Sequence, residues 1–465
     1  MNRSTLKIKI VLLTVVIMAL GSNVLAQTSE TKKEVTVLTL DQALKIALDK
    51  NQDIKKAREY FNQVQGRYIQ ERAAALPQFT GQAGISRGHD ESQRAAYVGL
   101  SALANRFGVS LNTPVDVETR SAMVGVSQVV YSFGQLEAAI RAAKIGLKTA
   151  DDQLHLYQQA VLKDVSSAFY NVLLSRELYA VARQNLEQKI RHLEEARKKH
   201  AAGTATDYDV LAGEVAVENA RPDVVRTENA ILISRENLRF LLGLDHEVDA
   251  QGSLLTTIAH YPLYTESISI AWENRPELTG LKHQIGMAEE LLKLAKAGNL
   301  PIISLNAGYG WKSLDYMPGQ ADGPAWTAGL FVTFPFFDGL RTKGRVIQAK
   351  SNLDSLKIDE AKLVDSIVLQ THQAVDAVRE AGEIVKGLSG TVAQAQKLLS
   401  MAEKGYEFGV KTRLDVDDAQ LNLMMAQSNL ARARRDYIVA NTNLQWVMGT
   451  LKAPGITSPV ASKMP

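Results

Sequence analysis

Asp415 and Asp418 stand three residues apart, so on a helix they share one face. Carboxylates so placed do one of two things. In a first helical turn they answer the helix dipole. Repeated by symmetry around an opening, they form a ring that selects cations and repels anions. Asp417 adds an acid whose direction the sequence leaves open. Other chemistry is sparse. Gly84-Ile85-Ser86-Arg87-Gly88 fits the G-x-S-x-G pattern, but a serine nucleophile needs a strand–turn–helix elbow and a histidine partner. Here the pattern runs from a strand-like segment into a polar one. The 8 histidines are scattered, and His192 and His200 read as solvated residues of a charged helix rather than metal ligands. Gly308-Tyr309-Gly310 has no helix after it, and no Gly-Lys-Ser/Thr loop occurs, so no nucleotide site is indicated. With 0 cysteines, thiol nucleophiles, zinc–thiolate sites, disulfides and an amino-terminal lipidated Cys are excluded. No catalytic residue, metal site or cofactor is expected, and any energy must come from partners.

The elements that position the two aspartates are long. The 12 prolines leave two gaps, Pro114 to Pro222 and Pro335 to Pro454. Each is free of the residue that breaks helix interiors. Residues 135–199 and 341–408 each carry one unbroken pattern, roughly 100 Å as a helix. Polar turns at 202–206 and 409–413 reverse each into a partner. Heptad steps run through Val165, Val172, Tyr179, Leu186 and Leu193, and through Val378, Val385, Val392, Leu399 and Tyr406. The returning segments step through Val210, Val217, Val224, Ile231 and Leu238, and through Val416, Leu423, Leu430, Tyr437 and Leu444. Mostly small residues follow three positions later, among them Ala168, Ala182, Gly213, Ala220, Ala395, Ala402, Ala419 and Ala426. Large against small at alternate seam positions is coiled-coil packing, and an ordinary bundle core is the plainer alternative. Pro222 lies inside a returning helix, where a kink is expected.

The chain repeats itself. Residues 47–54 and 271–278 match at an offset of 224, as do Leu76-Pro77 with Leu300-Pro301 and Gly84 with Gly308. Tyr131 to Gly134 match Phe336 to Gly339 at 205, and Gly203, Thr206 and Asp209 match Gly409, Thr412 and Asp415 at 206. The two repeats are 38–250 and 262–450. The first holds a helix, a β-hairpin over 78–131, a long helix at 135–200 and a returning helix at 207–243. The second holds a helix, a hairpin over 302–334, a long helix at 339–408 and a returning helix at 414–448. A tail follows at 451–465. A polar insert at 88–120 distinguishes the first hairpin.

Arg3, Lys7 and Lys9 precede an apolar run and a small-residue site ending at Ala26, so 1–26 reads as a signal peptide. Its removal leaves 50 basic and 50 acidic residues, which withdraws the electrostatic argument for nucleic acid. No later apolar stretch is long enough for a transmembrane helix. The strand-like segments 78–87, 123–131, 302–312 and 325–334 have the length and alternation of outer-membrane strands, with Phe331 out of pattern. Four strands cannot close a barrel, and an open edge in lipid strands its backbone groups. Other copies must complete it: two give a filled eight-stranded barrel, three a twelve-stranded one wide enough to conduct.

The order and duplication of these motifs resemble the TolC family of outer-membrane efflux proteins over nearly the whole mature chain. The matches are Asn51-Gln52-Asp53-Ile54 and Asn274-Arg275-Pro276-Glu277-Leu278, the Leu-Pro strand entries, the Ser132-Phe133-Gly134 and Phe337-Asp338-Gly339 exits, and the turn 409–419. The resemblance implies an α+β membrane protein: a homotrimer with a twelve-stranded barrel in outer-membrane lipid, continued by a periplasmic α-helical barrel. It implies an exit duct of a tripartite efflux or type I secretion system, with a periplasmic adaptor and an inner-membrane transporter as partners. It implies a gate at Asp415 and Asp418. A latch between coils falls at Asp209, Tyr406 and Lys411, with lysine where arginine is frequent and hence a weaker grip on a carboxylate. Adaptor docking falls at the tips, Gly203, Thr206, Gly409 and Thr412. The insert 88–120 is expected outside the cell, where a cysteine at Ser92 would be labelled in intact cells. The competing reading is a structural or adhesive surface coiled coil, which would have no use for two lipid-compatible hairpins.

Overall fold

The computed structural model describes residues 35–91, 101–108, 116–255, 257–258, 263–316 and 319–452. The expected leader, Ser92 and all but the first two residues of the expected tail lie outside these. Proline shapes the strand entries: Leu300, just before Pro301, is extended at φ −83° and ψ 152°, the conformation a following proline enforces. Strand β5 (Ile302–Tyr316) starts directly after it. With β2 (Gln78–His89), β3 (Asp116–Tyr131) and β6 (Gly319–Thr333) it forms an antiparallel sheet in the order β2-β3-β5-β6. The strands overrun their expected ends. Residues 117–120 fall in the expected polar insert, yet they pair with β2 on one side and β5 on the other. The insert thus gives its ends to the sheet, and 101–106 is helical.

The register sorts the sheet into two faces. Phe79, Val126 and Ala307 align with Ala328; Val124 and Tyr309 align with Trp326; Trp311 aligns with Pro324; Leu305 aligns with Leu330. The opposite face carries Thr80, Gln82, Ser86, Ser121, Ser127, Asn306, Gly308, Lys312 and Thr327. Phe331 falls on this polar face, opposite Ser304. Among the described residues nothing covers the apolar face: Phe79, Tyr309, Trp326 and Leu330 remain 75%, 67%, 73% and 67% exposed. The outer edges of β2 and β6 have no partner strand among the described residues.

Helices form the rest. α1 (Leu40–Lys50) and α2 (Gln52–Ala73) precede β2; α3 (Gln135–Ala201) and α4 (Asp207–Leu242) follow β3. α5 (Tyr264–Asn274) and α6 (Pro276–Lys296) precede β5; α7 (Arg341–Glu407) and α8 (Arg413–Val447) follow β6. α3 and α7 have 67 residues each, about 100 Å. On the strand side the packing order is α2–α3–α6–α7; toward the helical turns it is α4–α3–α8–α7. α4 continues through Pro222 as helix.

The seam positions are filled as the heptads require. Val378, Val385, Leu399, Val416, Leu423, Leu430, Tyr437 and Leu444 are buried, with Ala395, Ala402, Ala419, Ala426 and Ala433 between them. A Cβ on Gly213 would come within 3.0 Å of Leu193 Cδ1, so any larger residue there would have to displace that side chain. At the waist, α4 ends on Gly243 against Lys50, and α8 is followed by Gly449 against Asn274. A Cβ on either glycine would sit 2.5 Å from the carbonyl oxygen it meets. The repeated motifs thus make one joint twice. Asn51, 4% exposed, caps α2 and donates to Leu241 O at 2.7 Å; Arg275, 3% exposed, holds Glu277 and Gln370. A small parallel sheet, β1 (Thr36–Leu38) with β4 (Val248–Ala250), closes the same level.

The strand-to-helix exits correct the repeat alignment by one residue. Phe133 and Gly134 have φ of 51° and 87°; their counterparts are Gly339 and Leu340, both 68°. Ser132 Oγ accepts from Leu136 N, and Asp338 Oδ2 from Thr342 N. Geometry therefore pairs Ser132 with Asp338, an offset of 206, where matching the glycines gave 205.

Candidate functional site

Both helical hairpins close with the same device. Gly203 and Gly409 take φ of 72° and 73°, a left-handed conformation that ends α3 and α7. Thr206 and Thr412 then open α4 and α8. Thr206 N and Oγ1 donate to Asp209 Oδ2 at 2.8 and 2.7 Å, and Asp209 N donates back to Thr206 Oγ1 at 3.3 Å. Thr412 and Asp415 repeat this at 2.8, 2.8 and 3.2 Å. These are reciprocal capping boxes. Lys411 Nζ adds a contact to Asp415 Oδ1 at 3.2 Å. The Thr412 backbone and side-chain donors, then Lys411, hold the Asp415 carboxyl down at about 2. Thr206 lowers Asp209 in the same way. Asp418, one turn further and exposed, has no hydrogen-bonding or ionic partner among the described residues.

Asp417 turns the other way. It meets Lys189 Nζ at 2.8 Å and Arg413 Nε at 3.3 Å, inside the junction of α8 with α3. Burial opposes its charge, but the two cations prevail and its carboxyl lies below the usual range. Beside it, Gln420 Nε2 donates to Asn185 Oδ1 at 3.0 Å, and Gln188 Nε2 to Glu403 Oε1 at 3.2 Å. His192 belongs to this group, which corrects its reading as a solvated residue. Its Nε2 is sealed from solvent without a partner, and burial, with Arg413 and Lys189, lowers its pKa to about 4. His200 stays at the turn, 2.9 Å from Asp207. The junction is written in the sequence only as the helical spacing of Asn185, Lys189 and His192, which resembles any polar face.

The proposed latch residues do not meet within one chain. Asp209 is on α4 and Tyr406 on α7, with α3 and α8 packed between those helices. Tyr406 instead lies under Lys199 Nζ, 4.8 Å from the ring centroid. Exposed apolar residues crowd both tips: Tyr208, Leu211, Phe408, Val410 and Leu414. Ser86 sits within β2 opposite Thr119, not on a strand–turn–helix elbow. Among the described residues no group of acids and histidines could hold a metal ion, and no helix is long and apolar enough to cross a membrane.

A two-faced sheet whose outer edges have no partner strand among the described residues, carried on helices of 67 residues, is the arrangement shared with outer-membrane channels. The sequence family described as outer membrane efflux protein matches residues 43–244 and 267–450, and the chain belongs to that family. It is 24% identical to the outer membrane protein TolC of Vibrio cholerae, over 73% of this chain and 78% of that protein. It is 23% identical to the pyoverdine export outer membrane protein OpmQ of Pseudomonas aeruginosa, over 88% and 85%. Its fold matches the Campylobacter jejuni CmeC outer membrane channel with a TM-score of 0.75, covering 91% of this chain and 90% of that one at 17% identity. The protein is an outer-membrane exit channel component of an efflux system.

Proposed function

We propose that three copies of this chain form one continuous duct, and that the duct serves a tripartite pump or type I secretion system. The observation that carries this is the sheet: four strands, apolar on one face and polar on the other, with neither outer edge paired among the described residues. Ile303 to Trp311 spans about 27 Å along β5, or roughly 21 Å at a 40° tilt, close to the apolar band of an outer-membrane barrel. Three such sheets give twelve strands and an aqueous lumen lined by the polar face. The flank helices support the same assembly. α4 exposes Leu211, Val215, Val225, Leu232 and Phe240, and α7 exposes Ile347, Ile358, Leu369, Leu398 and Met401. A neighbouring copy would cover both stripes by laying α7 beside α4, which would also bring Asp209 of one chain toward Tyr406 and Lys411 of the next.

At the tips, Asp418 and Asp415 of three chains would ring the narrow end, attracting cations. Gly203, Thr206, Gly409 and Thr412 would present the apolar tip residues to the periplasmic adaptor, while an inner-membrane transporter selects cargo and supplies energy. Cross-linking of outer-membrane fractions tests the assembly. A trimer that survives mild detergent without heating is expected; a periplasmic monomer would refute the proposal.

A further inference from the structure

We propose that His192 makes the junction between the two helical hairpins of each chain an acid-sensitive tie, so that acidification of the periplasm biases the narrow end toward opening. The inference rests on the duct reading above and concerns how its tip is held.

The junction of α3 with α8 changes character along its length. Near the waist it is apolar: Val165, Phe169 and Val172 of α3 share a core with Ala431, Ile438 and Trp446 of α8. Near the tip each hairpin keeps its own apolar packing: Ala395, Leu399 and Ala402 of α7 meet Val416, Ala419 and Leu423 of α8, and Leu193 of α3 packs at Gly213 of α4. What joins the α7–α8 hairpin to α3 there is polar: Asn185 with Gln420, Gln188 with Glu403, and Lys189 with Asp417. Polar contacts can be exchanged for water at little cost, whereas the apolar core above cannot. The tip end is therefore where the hairpins can part.

His192 sits in that polar part, half-buried, with Nε2 closed off and unpartnered. On its own helix it faces Lys189 and Glu195, and Glu195 is held by Lys199 at 2.7 Å. From α8 it faces Arg413 and Asp417. Glu214 of α4 is held by Arg197, and Glu403 of α7 by Gln188. One carboxylate, Asp417, thus already serves two cations, and the nearby acids are engaged. A proton on His192 adds a third cation to this set with no acid to receive it. The relief is to separate α8 from α3 and let water reach the imidazolium.

The sign follows from linkage. His192 titrates at about 4 in the closed junction and at 6.5 when solvated. The open form therefore binds more protons between these values, and falling pH favours it. Between pH 7.5 and pH 5 the open-to-closed ratio should rise roughly 30-fold per chain.

Wild type and His192→Gln, each as the full-length assembly in planar lipid bilayers, test this by open probability at pH 7.5 and pH 5. The expected result is a rise in wild type and little change in His192→Gln, both conducting alike at pH 7.5. Every other acid and histidine is the same in both proteins, so its effect cancels. Asp417→Asn, which leaves Lys189 and Arg413 without their acid, should be open at both values. Equal acid responses in wild type and His192→Gln, or no response in wild type, would overturn the tie while leaving the duct intact. Absence of any channel from wild type would overturn the duct and the tie with it.

Discussion

Thr412 N and Oγ1 both donate to Asp415, so replacing Asp415 with Ala removes a helix cap along with a charge. Asp418 makes no such bond, and its substitution changes charge alone. Asp418→Ala should weaken block by multivalent cations without altering thermal stability. Thr412→Ala should lower stability by about 1 kcal/mol, the usual value of a lost cap, and leave the Asp418 charge in place. Block titrations and melting curves on the same preparations separate the two effects. Tyr406→Phe with Lys411→Ser should raise resting conductance if these residues tie neighbouring chains; an unchanged value would place the latch elsewhere. The sequence made Thr206, Thr412 and the acids three positions on visible as a match at an offset of 206, but not as the capping boxes they form. It hid the direction of Asp417 and the burial of His192, because both depend on a helix more than 200 residues away.

At the scale of elements, the long helices were legible from heptads that local spacing dictates. Strand ends were not: 117–120, in the expected polar insert, become strand because two neighbours supply partners. The exit alignment slipped by one because matching glycine to glycine ignored conformation. A left-handed leucine, Leu340, stands where the first repeat has Gly134. The tip glycines carry a prediction. Bulky residues at both Gly203 and Gly409 would be strained at positive φ. They should abolish co-purification of the adaptor while trimers persist; retained adaptor would count against docking at the tips.

For the whole molecule, the two faces of the sheet decide what surrounds it. Trp326→Lys puts a charge on the apolar face, at a cost of about 2–4 kcal/mol near the middle of a bilayer. Phe331→Lys puts the same charge on the polar face and should be tolerated. Yields of folded protein in outer membranes should fall for the first and not the second; equal losses would mean that the polar face does not line water.

In the proposed assembly, copies of this chain enclose a conducting path narrowed by acidic residues at the helical tips. Single-channel recording of the purified assembly in planar bilayers addresses it most directly. Discrete, cation-selective openings are expected, blocked by a trivalent cation added on the side of the tips, with the block lost when Asp415 and Asp418 are both Ala. An assembly that inserts yet conducts nothing, or whose selectivity and block are unchanged in the double variant, would contradict it.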